Sequence, residues 1–380
     1  MKKIVVAVDS FKGCLDSLEV AGAIEAGIKA VHPRCEVVKV PVADGGEGTV
    51  QALVWATGGR THTLTVHGPL MRPVAASYGI LGDGRTAVIE MASASGLPLV
   101  PPGERNPMET TTLGTGELIA DALRRGCRRF ILGIGGSATN DAGTGLLQAL
   151  GFRFLDAAGT ELGHGGKILK TIARIDGSGA NPLLREAEFR VACDVDNPFS
   201  GPRGAAHVYG PQKGADPQMV AVLDRGLAQF AAVIKAHTGR DIDAEPGAGA
   251  AGGMGGGLLA FLGARLQPGI ALVLETLRFE NLLDGASLVI TGEGRMDAQT
   301  AMGKAPQGVA AAAARRGVPV IALAGGVEDT AAINRIGIAG VFSIMPRPMS
   351  LQDAMVPETA AKNIRELVAQ LFQTIAAVRP

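Results

Sequence analysis

The segment GIGGSATNDAGTG, residues 133–145, combines glycines with small hydroxyl, amide and acidic side chains, residue types that can surround a phosphate group. An apolar run at residues 129–132 precedes it and is typical of a buried strand. Backbone N–H groups in such a turn, together with the N-terminus of a following helix, attract anions. We therefore predict a phosphate-binding loop formed by Gly135, Gly136, Ser137, Thr139, Asn140 and Asp141.

An alternative explains this segment equally well. It matches neither GxxxxGK[ST], the Walker A loop, nor the dinucleotide-binding pattern GxGxxG. A tight turn in which Asn140 and Asp141 cap the next helix would have the same composition.

A second group of charged side chains lies in TGEGRMDAQTAMGK, residues 291–304, directly after the apolar run 287–290. It contains Glu293, Arg295, Asp297 and Lys304. Arginine and lysine can bind phosphate, while a carboxylate can accept a hydroxyl proton or hold a metal ion. A surface cluster of ion pairs is the alternative, but the flanking glycines favour a site.

A third group follows the run 189–192 in CDVDNP, where the carboxylates of Asp194 and Asp196 and the amide of Asn197 suit magnesium or a small polar substrate. A turn before proline is the better explanation for Asn197. Lys213 follows in GPQKGA. Shorter motifs place further polar groups after predicted strands, namely Lys12 in VDSFKG, Asp44 in VADGGEGT, and Ser93 and Ser95 in EMASASGL.

The composition excludes several classes of protein. The chain has 36 basic and 36 acidic residues and only 4% aromatic residues, so we expect no nucleic-acid partner. Four scattered cysteines and the absence of a long apolar run predict a reduced, cytoplasmic protein with no membrane segment. No GxSxG elbow or HExxH motif occurs. Glycine turns, hydroxyls, carboxylates and a few cations suit phosphoryl transfer, in which the protein positions groups and stabilises charge.

The elements that must position these groups predict an α/β fold. Apolar runs at residues 3–8, 36–40, 287–290, 318–323 and 341–344 predict parallel strands that alternate with helices near both chain ends. Between them, three extended runs from residue 62 to 91 predict an antiparallel element, and residues 217–237 a helix. We expect a Rossmann-like parallel-sheet domain at 1–62 plus 283–380, an inserted mixed α/β domain at 63–282, and ligands between the two domains.

In order along the chain, the motifs resemble those of the bacterial type-1 glycerate kinase family. They are VDSFKG, PVADGGEGT, EMASASGL, GTGEL, GIGGSATNDAGTG, CDVDNP, GPQKGA, GAGAAGGMGGG and TGEGRMDAQTAMGK. Each is short, but together they span nearly the whole chain in one order. The resemblance implies Mg²⁺- and ATP-dependent phosphorylation of D-glycerate to 2-phosphoglycerate, in the breakdown of sugar acids or glyoxylate. It also implies a Rossmann-like domain with an inserted α/β domain.

Within that reaction, we expect Lys12 or Arg295 to pair with the carboxylate of glycerate, and Asp194 or Asp297 to accept the hydroxyl proton. Lys213 or Lys304 would hold ATP phosphates with the glycine loop. The metal ligands would be Asp44 and Asp194. The residues expected to bind substrate are Asp44, Ser93, Ser95, Asn197 and Glu293.

Other functions stay open. The product could be 3-phosphoglycerate, or the protein could be a non-kinase enzyme acting on a phosphorylated hydroxy acid. A two-lobed binding protein for a small acid is the third possibility. A homo-oligomer is also possible.

Overall fold

The structure, a computed structural model, describes residues 2–301 and 303–378. The chain divides into a terminal unit, formed by residues up to 44 and from 270 onward, and an inserted unit, residues 45–269. In chain order the strands are β1 (Lys3–Val8), β2 (Glu36–Pro41), β3 (Arg60–His67), β4 (Pro73–Ile80), β5 (Thr86–Glu90), β6 (Arg129–Gly133), β7 (Arg153–Leu155), β8 (Arg174–Asp176), β9 (Glu188–Ala192), β10 (Arg265–Gln267), β11 (Leu288–Met296), β12 (Val320–Val327) and β13 (Gly340–Ser343). The α-helices are α1 (Ser17–Val31), α2 (Thr49–Thr57), α3 (Ala92–Ser95), α4 (Leu113–Arg124), α5 (Thr144–Ala149), α6 (Ala205–Tyr209), α7 (Pro217–Thr238), α8 (Met254–Phe261), α9 (Gly269–Thr276), α10 (Phe279–Leu282), α11 (Ala305–Arg315), α12 (Thr330–Arg335), α13 (Leu351–Ala354) and α14 (Pro357–Val378).

The terminal unit contains one parallel sheet with the strand order β13-β12-β11-β1-β2. Strand β1 lies between β11 and β2, with Ile4 opposite Leu288 on one side and opposite Val37 on the other. Helices α1 and α11 pack against β1, and its residues from Ile4 to Val8 are fully buried. Burial of this kind explains why the strand is a continuous apolar run rather than an alternating one. The predicted α/β class with a parallel sheet is confirmed.

The spacing of Asp16 and Glu19, three residues apart before an apolar run, predicts a capping box, and helix α1 begins there. The Asp16 carboxylate accepts a hydrogen bond from the backbone N–H of Glu19, and the Glu19 carboxylate accepts one from the N–H of Asp16, both at 2.8 Å. The two bonds satisfy amides that a helix start otherwise leaves without partners. The buried face of α1 packs against α14.

The inserted unit contains a mixed sheet with the order β10-β9-β6-β5-β4-β3. Strands β5, β6, β9 and β10 are parallel, and β3 and β4 are antiparallel to their neighbours. The turn between β4 and β5 closes as a hairpin, with the Leu81 N–H donating to the Thr86 carbonyl at 2.9 Å. The largest buried side chains of this unit include Tyr78, Phe130, Phe154, Phe189, Phe199 and Phe230.

The boundaries between the units differ from those we expected at 62/63 and 282/283. Strand β3 pairs with β4 from its first residue, Arg60, and α2 packs against β4 and β5. Residues 45–62 therefore belong to the inserted unit. Helix α10 packs against α11, and the side chain of Ile270 lies against Gly308 of α11. Residues 270–282 therefore belong to the terminal unit.

The glycine-rich segment GAGAAGGMGGG, residues 247–257, packs closely against neighbouring backbone segments. A Cβ atom added to Gly257 would lie 2.3 Å from the carbonyl oxygen of Ala142, and one added to Gly255 would lie 2.3 Å from that of Gly247. Side chains at these positions would push the backbone segments apart. Within the described residues, no helix is both long enough and apolar enough to cross a membrane.

Candidate functional site

The strand order of the terminal unit creates a crevice at one edge of its sheet. From β1 the chain crosses to β2 on one side, whereas from β11 it continues to β12 and β13 on the other. The segments that follow β1 and β11 therefore diverge. Ligands of parallel α/β sheets bind at such a switch point, beyond the carboxyl ends of the strands.

A cavity of about 560 Å³ lies at this switch point, a size that admits a nucleotide. We call one part of its lining the acidic side, which comprises Asp9, Lys12, Asp44, Glu293, Arg295 and Lys304. We call another part the methionine wall, which comprises Ile344, Met345, Met349, Leu351 and Met355. The predicted residues Lys12, Asp44, Glu293, Arg295 and Lys304 thus line one cavity of the terminal unit.

Asp9 is the most deeply buried carboxylate of the acidic side, with 4% of its surface exposed. Its Oδ1 atom accepts a hydrogen bond from the N–H of Ser10 at 2.6 Å. Burial and, secondly, the negative charge of Asp44 raise the pKa of Asp9 to about 7. A carboxyl group that titrates near neutral pH is well suited to accept a proton from a substrate hydroxyl.

Glu293 lies beside the two aspartates. Its carboxylate accepts a hydrogen bond from the Thr300 hydroxyl at 2.6 Å and lies 3.9 Å from Nζ of Lys304. Burial raises the pKa of Glu293, and the charge of Asp44 raises it further. The acidic side therefore concentrates negative charge that a metal ion or the cations around it must balance.

The three cationic side chains of the acidic side, Lys12, Arg295 and Lys304, differ in how closely they contact carboxylates. Arg295 is 65% exposed and is held by Glu328 at 2.9 Å and by Asp297 at 3.6 Å. Lys304 lies near Glu293, and Lys12 is exposed at the cavity. Lys12 is therefore better placed than Arg295 to receive a substrate carboxylate. Asp297 lies outside the lining of this cavity.

In the inserted unit, the predicted residues follow the carboxyl ends of neighbouring parallel strands. Ser93 and Ser95 come after β5, the glycine loop after β6, and Asp194 and Asn197 after β9. These segments therefore lie at one edge of the sheet. Their side chains, however, differ in burial and in the hydrogen bonds that they make within the protein.

The glycine loop exposes its backbone but not its polar side chains. Gly135 and Gly136 are exposed, whereas Ser137, Thr139, Asn140 and Asp141 are buried. The Asp141 carboxylate accepts hydrogen bonds from the Thr112 N–H and hydroxyl and from the N–H groups of Gly143 and Gly145. Asp141 therefore ties this loop to the starts of α4 and α5. Asn140 makes no such hydrogen bond, so the capping explanation holds for Asp141 alone.

Lys213 is buried under the same loop, with 2% of its surface exposed. Its Nζ atom donates to the Ser137 hydroxyl at 2.7 Å and to the Thr139 carbonyl at 2.6 Å. Burial lowers the pKa of Lys213 to about 7. Beside it, the Thr139 hydroxyl and both polar atoms of the Asn140 amide are buried without a hydrogen-bond partner. In this conformation, only the Gly135–Gly136 backbone is open to a phosphate group.

The remaining predicted residues of the inserted unit make local contacts. Ser95 is fully buried, and its hydroxyl lies 2.8 Å from that of Thr115, so this conformation does not present it to a substrate. The Ser93 hydroxyl donates to the Glu90 carbonyl at 2.9 Å. Asn197 donates to the Arg203 carbonyl and accepts from the Tyr209 hydroxyl, which supports the turn explanation.

Asp194 is exposed and accepts a hydrogen bond from the backbone N–H of Gly269 at 3.0 Å. Across residues 2–301 and 303–378, no three histidine, cysteine or acidic side chains form a ready metal site. Magnesium in phosphoryl-transfer enzymes is held by one or two carboxylates plus phosphate oxygens, so it requires no such cage. The oxygen donors of Asp44 and Glu293 fit this mode of binding.

The sequence analysis did not identify Asp9 as a residue of the candidate site. The motif VDSFKG placed Asp9 after the first strand, but nothing in its local sequence distinguishes it from other aspartates. Its burial, and its proximity to Asp44 and Glu293, depend on three separate segments meeting. The one sequence feature that could have identified Asp9 is its position as a polar residue directly after a strand of apolar residues.

Comparison with known proteins places these features in a family. A sequence profile of the glycerate kinase family matches residues 4–376. The chain belongs to the glycerate kinase family. The resemblance seen in the sequence motifs is therefore confirmed.

Relatives match nearly end to end. A glycerate kinase of Bacillus subtilis strain 168 is 53% identical over 372 residues, covering 97% of each chain. The glycerate 2-kinase of Escherichia coli K12 is 51% identical over 375 residues, covering 98% of each chain. A crystal structure from Salmonella typhimurium LT2 that carries the name glycerate kinase 2 has a TM-score of 0.91 and 48% identity, covering 99% of this chain and 98% of the other. This fold is therefore shared along the length of the chain.

Proposed function

We propose that this protein is an ATP-dependent kinase that phosphorylates the 2-hydroxyl group of D-glycerate. Membership of the glycerate kinase family supports the reaction, and the relative named glycerate 2-kinase supports the position of the new phosphate. The single structural observation that carries the proposal is the cavity at the switch point of the terminal unit. It brings carboxylates and cations from separate segments to one place.

The acceptor would be oriented by charge. Lys12 receives the carboxylate of glycerate because its side chain is exposed at the cavity, whereas Arg295 is already held by Glu328. Lys304 faces the phosphates of the nucleotide from beside Glu293. Lysine binds phosphate as a compact point charge, which suits transfer of a phosphoryl group.

Asp9 is our candidate for the base. It lines the cavity, and its pKa of about 7 leaves much of it able to accept a proton at neutral pH. We prefer it to Asp194, which is exposed and accepts the Gly269 N–H, and to Asp297, which lies outside the cavity lining. Asp44 and Glu293 would hold Mg²⁺, which supplies charge neutralisation on the transferred phosphate.

The role of the inserted unit remains a prediction. The exposed Gly135–Gly136 backbone could receive an anionic group, whereas the buried side chains around Lys213 would need the loop to open first. We likewise propose a cytoplasmic location, a role in sugar-acid or glyoxylate breakdown and assembly into a homo-oligomer.

The test is a coupled assay of ADP release by the purified full-length protein with ATP, MgCl₂ and a panel of small hydroxy acids. We expect release with D-glycerate and little with L-glycerate or lactate. NMR of the product then places the phosphate on C2 or C3. Phosphate on C3 would refute the 2-kinase assignment, and the absence of ADP release with every acid would refute the kinase itself.

A further inference from the structure

The methionine wall of the cavity leaves large apolar side chains exposed. It is built by the segment that follows β13, and Leu351 is 75% exposed. Met345 and Met349 line the same cavity and are half-buried. Apolar side chains gathered around a cavity usually mark a ligand-binding surface.

We propose that the methionine wall binds the base of the nucleoside triphosphate from which the phosphoryl group is taken. This inference rests on the proposed function, which requires a nucleotide but does not say where its base lies. The acidic side offers the charges that phosphates and their metal need, so the base must lie on a part of the cavity without charge. Methionine thioethers contact aromatic rings favourably and adapt to their shape.

The glycines of the cavity leave room for a flat ring. Gly294, Gly325 and Gly326 line it, from the ends of β11 and β12. A Cβ atom on Gly325 would lie 2.8 Å from the carbonyl oxygen of Gly294, so that position accepts no side chain. A Cβ atom on Gly326 meets only the Arg295 Cγ atom, at 3.7 Å. A larger side chain at Gly326 would therefore be tolerated by the protein and would occupy space in the cavity.

This difference provides a direct experiment on the full-length protein. We would measure the dissociation constants of ADP and of inorganic pyrophosphate by calorimetry, for the wild type, Met349→Ala and Gly326→Val. Pyrophosphate has the charges of ADP but no base. Gly22→Val is the matched control, because a Cβ atom added at Gly22 meets no atom within 4 Å and Gly22 lies on α1, outside the cavity lining.

We expect Met349→Ala, which removes an apolar contact with the base, and Gly326→Val, which fills part of the space for the ring, each to weaken ADP binding about five- to tenfold. Pyrophosphate binding should stay unchanged within about twofold. Gly22→Val should bind both as the wild type does. Equal loss of ADP and pyrophosphate, unchanged ADP binding, or no ADP binding by the wild type would each overturn the inference. Failure of the proposed function would be recognised separately, as absent glycerate phosphorylation in a wild type that still binds ADP.

Discussion

The Nζ atom of Lys213 lies 2.6 Å from the carbonyl oxygen of Thr139, a residue 74 positions earlier in the chain. No carboxylate within the described residues forms an ion pair with this ammonium group, so burial dominates and lowers its pKa to about 7. A lysine that is neutral above pH 7 when folded but charged up to about pH 10 when unfolded gives stability a distinctive pH dependence.

From this geometry we expect the free energy of unfolding to rise between pH 7 and pH 10. The unfolded chain binds one more proton than the folded chain over that interval, so raising the pH favours the folded state. Chemical denaturation at several pH values would measure the slope. Lys213→Met removes the titrating group, so the free energy of unfolding of this variant should rise less between pH 7 and pH 10 than that of the wild type. An equal slope in the two proteins would contradict the burial of a neutral Lys213.

Asn140 provides a second prediction, about stability. Its amide is buried with neither polar atom paired, which costs roughly 1–3 kcal/mol. Asn140→Leu should therefore raise the free energy of unfolding by about 1–2 kcal/mol, measured by urea denaturation. Thr139→Val removes another unpaired buried hydroxyl and should act in the same direction. If both variants are less stable than the wild type, bound water or a ligand satisfies these atoms.

The same variant tests the predicted phosphate loop. If Asn140 contacts phosphate once the loop opens, Asn140→Leu should lower kcat/KM for ATP at least tenfold while increasing stability. A variant that is more stable and equally active would assign Asn140 to the packing of the inserted unit alone.

The sequence was sufficient to predict the fold class and several elements. Buried apolar runs predicted β1, β2 and β13 closely, and the Asp16–Glu19 pair predicted the start of α1. The end of β11 could not be predicted. The sequence TGEGRM has no apolar pattern, yet β11 continues through it to Met296 because it pairs with β12 as far as Val327. The partner strand, rather than local propensity, holds Glu293 and Arg295 in place.

The site was predicted in part for a related reason. Residue types and strand ends identified Lys12, Asp44 and Glu293, which do line one cavity. The burial of Lys213 and the raised pKa of Asp9 arise from contacts between segments far apart in sequence. Motif reading has no access to such contacts, and so it could not rank one aspartate above another.

The hydrogen bond between Tyr78 and Asp121 supports a fourth prediction, about stability. The Tyr78 hydroxyl, in the core of the inserted unit, donates to Asp121 Oδ2 at 2.8 Å, and Arg125 Nε donates to the same oxygen at 2.7 Å. Tyr78→Phe removes one bond and leaves the carboxylate paired, so we expect a loss of about 1 kcal/mol. Asp121→Ala leaves the buried Tyr78 hydroxyl without a hydrogen-bond partner, so it should lower the free energy of unfolding by more, about 2–3 kcal/mol. Urea denaturation of the two variants measures both losses of stability. Equal losses would contradict this prediction.

Asp9 provides the last prediction, about catalysis. If it accepts the hydroxyl proton, Asp9→Asn should lower kcat about 10²- to 10⁴-fold and leave the KM for glycerate nearly unchanged. In the wild type, kcat/KM should fall as the pH drops below about 7, the pKa of the free carboxyl group, and Asp9→Asn should lack that limb. Asp194→Asn and Asp297→Asn are the matched controls. If one of these variants lost turnover while Asp9→Asn did not, the aspartate replaced in that variant would be the base.

A second readout separates this role from a structural one. The folded protein keeps the Asp9 proton up to about pH 7, whereas the unfolded chain releases it near 3.8, the ordinary pKa of an aspartate. The folded state therefore binds more protons in this interval, and the Asp9 contribution to stability declines as the pH rises through it. Asp9→Asn removes that decline and should be more stable than the wild type at pH 8. A variant that is more stable yet nearly inactive identifies a carboxylate retained for chemistry, whereas one that keeps a third or more of wild-type turnover excludes Asp9 as the base.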